Sequence, residues 1–511
     1  MFSDSRVKLT SKLPSTSIHV LDDDSLLNIF RCYRPIAFDS DSVMDSTIRM
    51  SKWDRERWWY RLVQVCRRWR YLILGSASYL RLCLVCTLGT PVADMLESSP
   101  PLPLVVSYNH PHRFLTAGEE KVLLFALQQR DRIRTIYLQM PLRCLRKIVT
   151  AFDDKFPMLE LLYIRHPAKG YIPLTLPPTF EAPHLRHLNL HQFAVPMGSP
   201  LFTTAIGLMT LILRWDHPLT YSDPNYLLQT LSPLSQLHTL EIGFSSSHTL
   251  SSHDIPQRLS DAPTMAHVTL SNLRWFSFWG ISDYLEAILP HMTVPCLTEL
   301  KVHFFNHFGL SVPRLLQFVK IAENLRFGSA KFVFHHRAVG VFVYPHVGTN
   351  LPRFNFFVEV PCMHLDQQVS SVAQIFSVLS PLFSTVMDLT LDYKDYVFSS
   401  EQHDQANRMR WRELLGSFRN VTTLRVHKGL VGELSHSLRS DVEPTLEVLP
   451  DLKELVCPTR SLDEGVFTAF IHDREVAGHP VKLTGETFPA GYFGYSFDSP
   501  GGVIHIDPDT P

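Results

Sequence analysis

The chain has little of what would mark a membrane protein, a nucleotide-dependent enzyme or a disulfide-built scaffold. No uncharged apolar run approaches the ~20 residues of a bilayer-spanning helix; the longest candidate, 201–213, stops short. The opening MFSDSRVKLTSKLPSTS is charged and has no apolar centre, so no secretory signal is expected. The Asn420-Val421-Thr422 sequon is then without consequence. Phosphate-cradling loops of the G-x-x-x-x-G-K-S/T and G-x-G-x-x-G kinds are absent, as are H-E-x-x-H and G-x-S-x-G. The 25 histidines are scattered, and the adjacent pair His335-His336 would point to opposite faces of a strand. No catalytic residue, cofactor or metal is therefore expected, and the chain is read as a non-enzyme. The formal net charge of −1 removes any general pull toward nucleic acid or a membrane. Glycine is scarce, 22 residues against 36 prolines, which suggests many short elements joined by rigid turns. The eight cysteines lie apart in apolar contexts, as reduced thiols of a cytoplasmic or nuclear protein do. Cys83-x-x-Cys86 has no second pair at zinc spacing and reads as two strand residues.

What is there is a core-forming composition, 45% hydrophobic and 19% charged. At 511 residues the chain exceeds one ordinary domain, so a small module and a large one are expected. Trp58, Leu62, Val65, Trp69 and Leu72 recur at helical spacing and would line one side of a single helix that stops at Gly75-Ser76. Upstream, 21–35 reads LDDDSLLNIFRCYRP. Asp23 or Asp24 suits the N-cap, Pro35 ends the helix, and Leu26, Leu27, Ile29, Phe30 and Tyr33 form a broad apolar face. Taken alone, either helix could be an ordinary amphipathic core helix.

Together, Leu-Leu-x-Ile-Phe at 26–30 and Val-Cys-Arg-Arg-Trp at 65–69 resemble the F-box, over roughly residues 18–86. The resemblance implies a small helical module that docks on a Skp-family adaptor and, through it, on a cullin–RING ubiquitin ligase. Adaptor contact would fall to Leu26, Leu27, Ile29, Phe30, Leu62, Val65, Cys66 and Trp69, some of which must instead form the module's own core. Two features depart from the family: Leu21-Asp22 stands where Leu-Pro is usual, and 36–57 is an insertion. Residues 49–81 hold nine basic and two acidic residues, which raises nucleic acid as an alternative partner. The tryptophans there share the apolar stripe and are poorly placed to stack on bases, so nucleic acid is disfavoured.

Past a Ser-Ser-Pro-Pro hinge at 98–101, helix and strand alternate, and Thr116-Ala-Gly-Glu119 is a capping box. The pattern apolar-x-x-apolar-x-apolar begins at Ile133, Leu159, Leu185, Leu208, Leu237, Leu273, Leu297, Val386, Val421 and Leu452. The 89-residue gap between Leu297 and Val386 has room for two more units, with strand-like runs at 331–335 and 354–360. Each unit offers one strand and one helix that can bury its apolar face only against its neighbours. The array resembles the leucine-rich repeat family, without its asparagine: Pro167, Phe193, Asp216 and Ser245 occupy that position. An unrelated α/β domain with leucine-rich strands is the alternative.

Side chains between the buried leucines would line the inner strand face, among them Arg165, Ile212, Glu241 and the target-binding candidates Tyr163, His187, His191, Arg214, Trp275, Trp279, Lys301, His303 and Arg425. Trp275 and Trp279 are either interface hot spots or are covered. The expected organisation is a disordered N-terminus (1–17), an all-α F-box-like module (18–89), an irregular leucine-rich-repeat-like α/β solenoid (90–483) and a cap or loose tail (484–511), with a helix at 462–476. The expected function is that of a non-catalytic substrate-recognition subunit of an SCF-type ubiquitin ligase, holding an unknown target protein and having no membrane partner. A non-ligase interaction scaffold is the runner-up.

Overall fold

A computed structural model describes residues 20–33, 57–167, 174–196, 199–215, 223–244, 265–305, 310–345, 354–394, 405–438, 448–463 and 465–486. Most of the expected insertion, the N-terminal 1–17, and the tail beyond 486 lie outside the described residues. The chain forms two compact units: the described residues up to Phe305 with 317–325, and those of 306–316 and 326–486.

Among the described residues the first unit opens with four helices, α1 (Asp23–Tyr33), α2 (Trp58–Leu62), α3 (Arg67–Gly75) and α4 (Ala77–Leu80). The single helix expected across 58–74 is thus two. Cys66 is fully extended (φ −158°, ψ 169°), and its Sγ accepts the Trp69 N–H, which starts a new helix at Arg67. The break turns the 3–4 stripe out of line: Val65 is left exposed, and Trp59, not Trp58, is the buried tryptophan. Arg81, in the left-handed region (φ 51°), then turns the chain into β1 (Leu84–Cys86). So the last residues expected to belong to the helical module are the first strand of the sheet.

From β1 the sheet of this unit runs in one direction through β2 (Leu104–Asn109), β3 (Ile133–Gln139), β4 (Leu161–Arg165), β5 (His187–His191), β6 (Thr210–Trp215), β7 (Thr239–Phe244), β8 (Trp275–Gly280) and β9 (Glu299–Phe304), every neighbour parallel. Parallel neighbours demand crossovers of a dozen residues or more. Helices supply several of them: Ala117–Leu127, Leu142–Ile148, Pro200–Thr204, Pro224–Leu231 and Ser282–Ile288. The first of these carries the expected capping box, Thr116 Oγ1 accepting from the Glu119 N–H and Glu119 from the Thr116 N–H. The repeat pattern is the core. Leu159, Leu162, Ile164, Leu185, Leu188, Leu190, Leu208, Leu211, Leu237, Leu240, Leu297 and Leu300 are all fully buried, in successive rungs. At roughly 25 cal/mol per Å² of apolar area removed from water, each such leucine contributes about 2 kcal/mol that a lone strand could not gain.

The second unit departs from the expected two extra repeats. Here β10 (Ser329–His335), β11 (Ala338–Tyr344) and β12 (Phe356–Val360) form an antiparallel meander. Only His336 and Arg337 separate β10 from β11, too few for a parallel crossover, so the chain folds straight back. Parallel pairing resumes from β10 through β13 (Asp388–Tyr393), β14 (Thr423–Val426), β15 (Glu454–Pro458) and β16 (Lys482–Glu486). Helices Leu365–Leu379, Gln405–Gly416 and Val431–Leu438 accompany them. An aromatic core of Phe332, Phe376, Phe383 and Phe418 fills the space beneath, with Phe376 and Phe383 centroids 4.8 Å apart. The helix expected over 462–476 is interrupted: Gly465 takes φ +63°, and the described helices there are Thr459–Asp463 and Thr468–Val476.

Candidate functional site

Two surfaces collect the residues singled out by the sequence. The first is the helical opening of unit one. Its α1 is capped by Asp22, one residue earlier than expected: the Asp22 carboxylate accepts the Ser25 N–H at 2.6 Å and the Ser25 hydroxyl at 3.1 Å. Those bonds hold the Asp22 carboxyl below its ordinary range. The residue that departs from the usual Leu-Pro is therefore a helix cap. Leu26 and Phe30 face inward and are fully buried, with Phe30 edge-on to Trp69 at 4.8 Å. Arg68 clips α1 to α3, donating to Asp23 at 2.6 Å and to the Leu21 carbonyl at 2.6 Å. Trp59 donates to the Cys83 carbonyl at 3.2 Å, and Tyr60 offers its hydroxyl oxygen to the Val85 N–H at 3.3 Å. Burial raises the Tyr60 hydroxyl and pushes the Cys86 thiol up to about 11, so neither ionises near neutrality.

Of the eight adaptor candidates, then, Leu26 and Phe30 are core. Leu27, Leu62, Cys66 and Trp69 are half-buried, and Ile29 and Val65 are exposed. Seven of the sixteen exposed large hydrophobics among the described residues (Val20, Leu21, Ile29, Tyr33, Val65, Tyr71 and Tyr79) fall before residue 80, so apolar exposure is concentrated here.

The second surface is the strand face away from the buried leucines. Register lines up its side chains in rows across the strands. One row runs Tyr137, Tyr163, Asn189, Ile212, Glu241, Ser277 and Lys301, and all of it but Lys301 is buried. Of the expected target-binding residues, Tyr163, with His303 of the next row, is therefore covered and not presented to a partner. The row nearer the strands' C-terminal ends runs Arg165, His191, Arg214, Gly243, Trp279 and His303. The third carries His187, Thr210, Thr239, Trp275 and Glu299. The side chains are held by their neighbours. Tyr137 and Tyr163 stack at 4.2 Å, and His187 Nδ1 meets Thr210 Oγ1 at 3.1 Å. Trp275 donates to Glu299 at 2.9 Å, while Lys301 pairs with Glu299 at 2.8 Å and sits over the Trp275 ring.

At the centre, Arg214 Nε donates to Glu241, whose carboxylate is fully buried. The Arg214 guanidinium lies 5.2 Å from the Trp279 centroid, and Trp279 stacks on His303 at 3.4 Å, nearly parallel. Trp275 and Trp279 are both half-buried, so neither expected extreme, fully exposed or fully covered, applies. Gly243, which the sequence reading passed over, makes the arrangement possible: a Cβ there would stand 3.1 Å from Arg214 Cγ and 3.5 Å from Trp279 Cβ. Its signal was a lone glycine inside a strand pattern. Arg425 lies in unit two, where it pairs with Glu486 at 3.1 Å, and is not part of this cluster. Among the described residues, no group of three or more His, Cys, Asp or Glu side chains is placed to hold a metal ion.

No protein-family model matches the chain, and no curated protein matches it. Among solved structures it is similar to the leucine-rich repeat-containing protein LegL7 from Legionella pneumophila, with 13% identity, 78% of this chain and 98% of that chain covered, and a TM-score of 0.25. The parallel sheet described above rests on its own strand pairings. No helix among the described residues is long and apolar enough to cross a membrane.

Proposed function

We propose that the chain is a non-catalytic substrate receptor of an SCF-type ubiquitin ligase, acting in the cytoplasm or nucleus. Its helical opening would bind a Skp-family adaptor and its strand face would bind a target protein. The observation that supports this best is that the two segments resembling the F-box pack on each other, Phe30 against Trp69 and Arg68 on Asp23, while Ile29, Tyr33, Val65 and Tyr71 stay outside. Exposed apolar side chains gathered on one small helical element suit a protein partner. The chain itself does no chemistry in this reading. It raises the target's concentration beside the charged ubiquitin carrier, which makes transfer effectively intramolecular.

The test is capture of the full chain on a purified Skp-family adaptor, with Ile29→Asp/Val65→Asp as the control. Both positions are exposed, so the control preserves the fold where changes at the buried Leu26 or Phe30 would not. Capture of the wild type that the control loses supports the reading. Failure of the wild type, or capture indifferent to the control, refutes it and moves the interaction-scaffold reading forward.

A further inference from the structure

We infer that the row through Arg165, His191, Arg214, Gly243, Trp279 and His303 recognises an acidic peptide segment, with Arg214 as its principal carboxylate ligand. This rests on the reading of the strand face as the surface that holds a target, and gives that target its chemistry.

The argument starts from what Arg214 does with its donors. Glu241 takes the Nε edge. The two terminal nitrogens meet no acceptor among the described residues, and the side chain keeps 18% of its surface open. The fork is also held still, wedged over the notch at Gly243 and against the face of Trp279. A guanidinium immobilised along one edge, with the other edge free, is preorganised for end-on bidentate capture of a carboxylate. Little side-chain entropy remains to be lost on binding.

The rest of the row fits the same ligand. Arg165, two strands away, lies about 10 Å along the sheet, and its guanidinium has no side-chain partner among the described residues. That separation suits two acidic side chains on one extended segment, since alternate residues repeat at about 7 Å. His191 lies between the two arginines and the covered His303 lies at the far end. No carboxylate occurs in the row. The carboxylates of the neighbouring rows, Glu241 and Glu299, are each already paired with a cation, Arg214 and Lys301. Half-buried Trp279 adds apolar area beside Arg214, while the Tyr137–Tyr163 stack is buried and only backs the row. Glu241 partly offsets the charge of Arg214, so the contact depends on hydrogen-bond geometry more than on long-range attraction.

The experiment is fluorescence anisotropy of a labelled heptaglutamate peptide against the full chain, with heptalysine and a short single-stranded RNA as comparisons. Binding of heptaglutamate alone is expected. Arg165→Glu should weaken it about tenfold or more, as the loss of a charge-assisted contact does. Arg214→Gln tests the ligand directly, and Arg214→Gln/Glu241→Gln keeps the test valid if the single change unfolds the unit. Four results overturn the inference: no heptaglutamate binding at about 1 mM, affinity unaffected by either arginine, equal binding of heptalysine, or RNA binding that these variants abolish while heptaglutamate fails. Adaptor capture is read separately. If the adaptor binds and heptaglutamate does not, this inference fails alone; if heptaglutamate binds and the adaptor does not, the ligase reading fails and this one stands.

Discussion

Replacing Arg214 by methionine should cost far more than its partly open side chain suggests. Its partner Glu241 is fully buried, and one of its two carboxylate oxygens has no hydrogen-bond partner among the described residues. Taking away the arginine leaves a buried carboxylate with no counter-charge, a loss of about 3–5 kcal/mol in comparable pairs. The lost guanidinium–Trp279 contact adds roughly 0.5–2 kcal/mol. The same logic gives the opposite result for the pair removed together. Arg214→Met/Glu241→Leu replaces two incompletely satisfied charges with apolar groups of similar length, and should be within about 1 kcal/mol of wild type or more stable. Urea unfolding followed by tryptophan fluorescence reads this out, since seven of the eight tryptophans precede residue 305 and so report the first unit. With a urea dependence of a few kcal/mol per molar, the single variant should lose about 1 M or more of midpoint. A single variant within about 1 kcal/mol of wild type would refute the burial argument. So would a double variant no better than the single.

Gly280→Ala should destabilise the first unit by about 1–3 kcal/mol through overpacking. The new methyl would sit 2.7 Å from Phe278 Cζ and 3.0 Å from Phe244 Cδ2, inside an aromatic cluster that also includes Tyr284; an unchanged unfolding midpoint would contradict the packing. In the second unit, burial lowers the His335 imidazole from 6.5 to about 4, against the opposing pull of Glu359 at 3.8 Å. The charged form is the one disfavoured on folding, so this contribution to stability is whole above pH 6.5. It falls away as pH drops from 6.5 toward 4, by a total of roughly 3 kcal/mol. A His335→Gln variant should show a shallower loss of stability over that window, and equal pH slopes for variant and wild type would count against the assignment.

How much of this was legible in the sequence follows from how local each signal is. The ten leucine-pattern strands appear because two-residue alternation needs nothing beyond the strand itself, and each leucine position is buried as the pattern requires. Thr116 and Glu119 announced a cap for the same reason. The helix break at Cys66 was hidden, because the apolar spacing from Trp58 to Leu72 continues unbroken through it and a thiol is a weak capping group. Which of Leu26, Leu27, Ile29 and Phe30 face inward depends on where Trp69 arrives, a contact 39 positions away in the chain for Phe30. The strand face was located but its contents were not. Nothing in the sequence pairs Arg214 with Glu241 across 27 positions, and only register brings Trp279 beside them.

The meander of β10 to β12 bears on how such an array accommodates extra chain. Within this unit, neighbouring parallel strands are separated by 35 positions (Asp388 to Thr423), 31 (Thr423 to Glu454) and 28 (Glu454 to Lys482), whereas β10 and β13 are 59 apart (Ser329 to Asp388). Closing a loop about twice as long costs only about 0.6 kcal/mol more in chain entropy. One buried phenylalanine of the inserted strands, Phe356 for instance, recovers more than that. A repeat array therefore has a low entropic barrier to lengthening between rungs, provided the added segment reverses an even number of times and returns the chain to its original direction. Irregular spacing in a sequence of this kind marks where extra segments have been accommodated, and is no evidence against the underlying repeat.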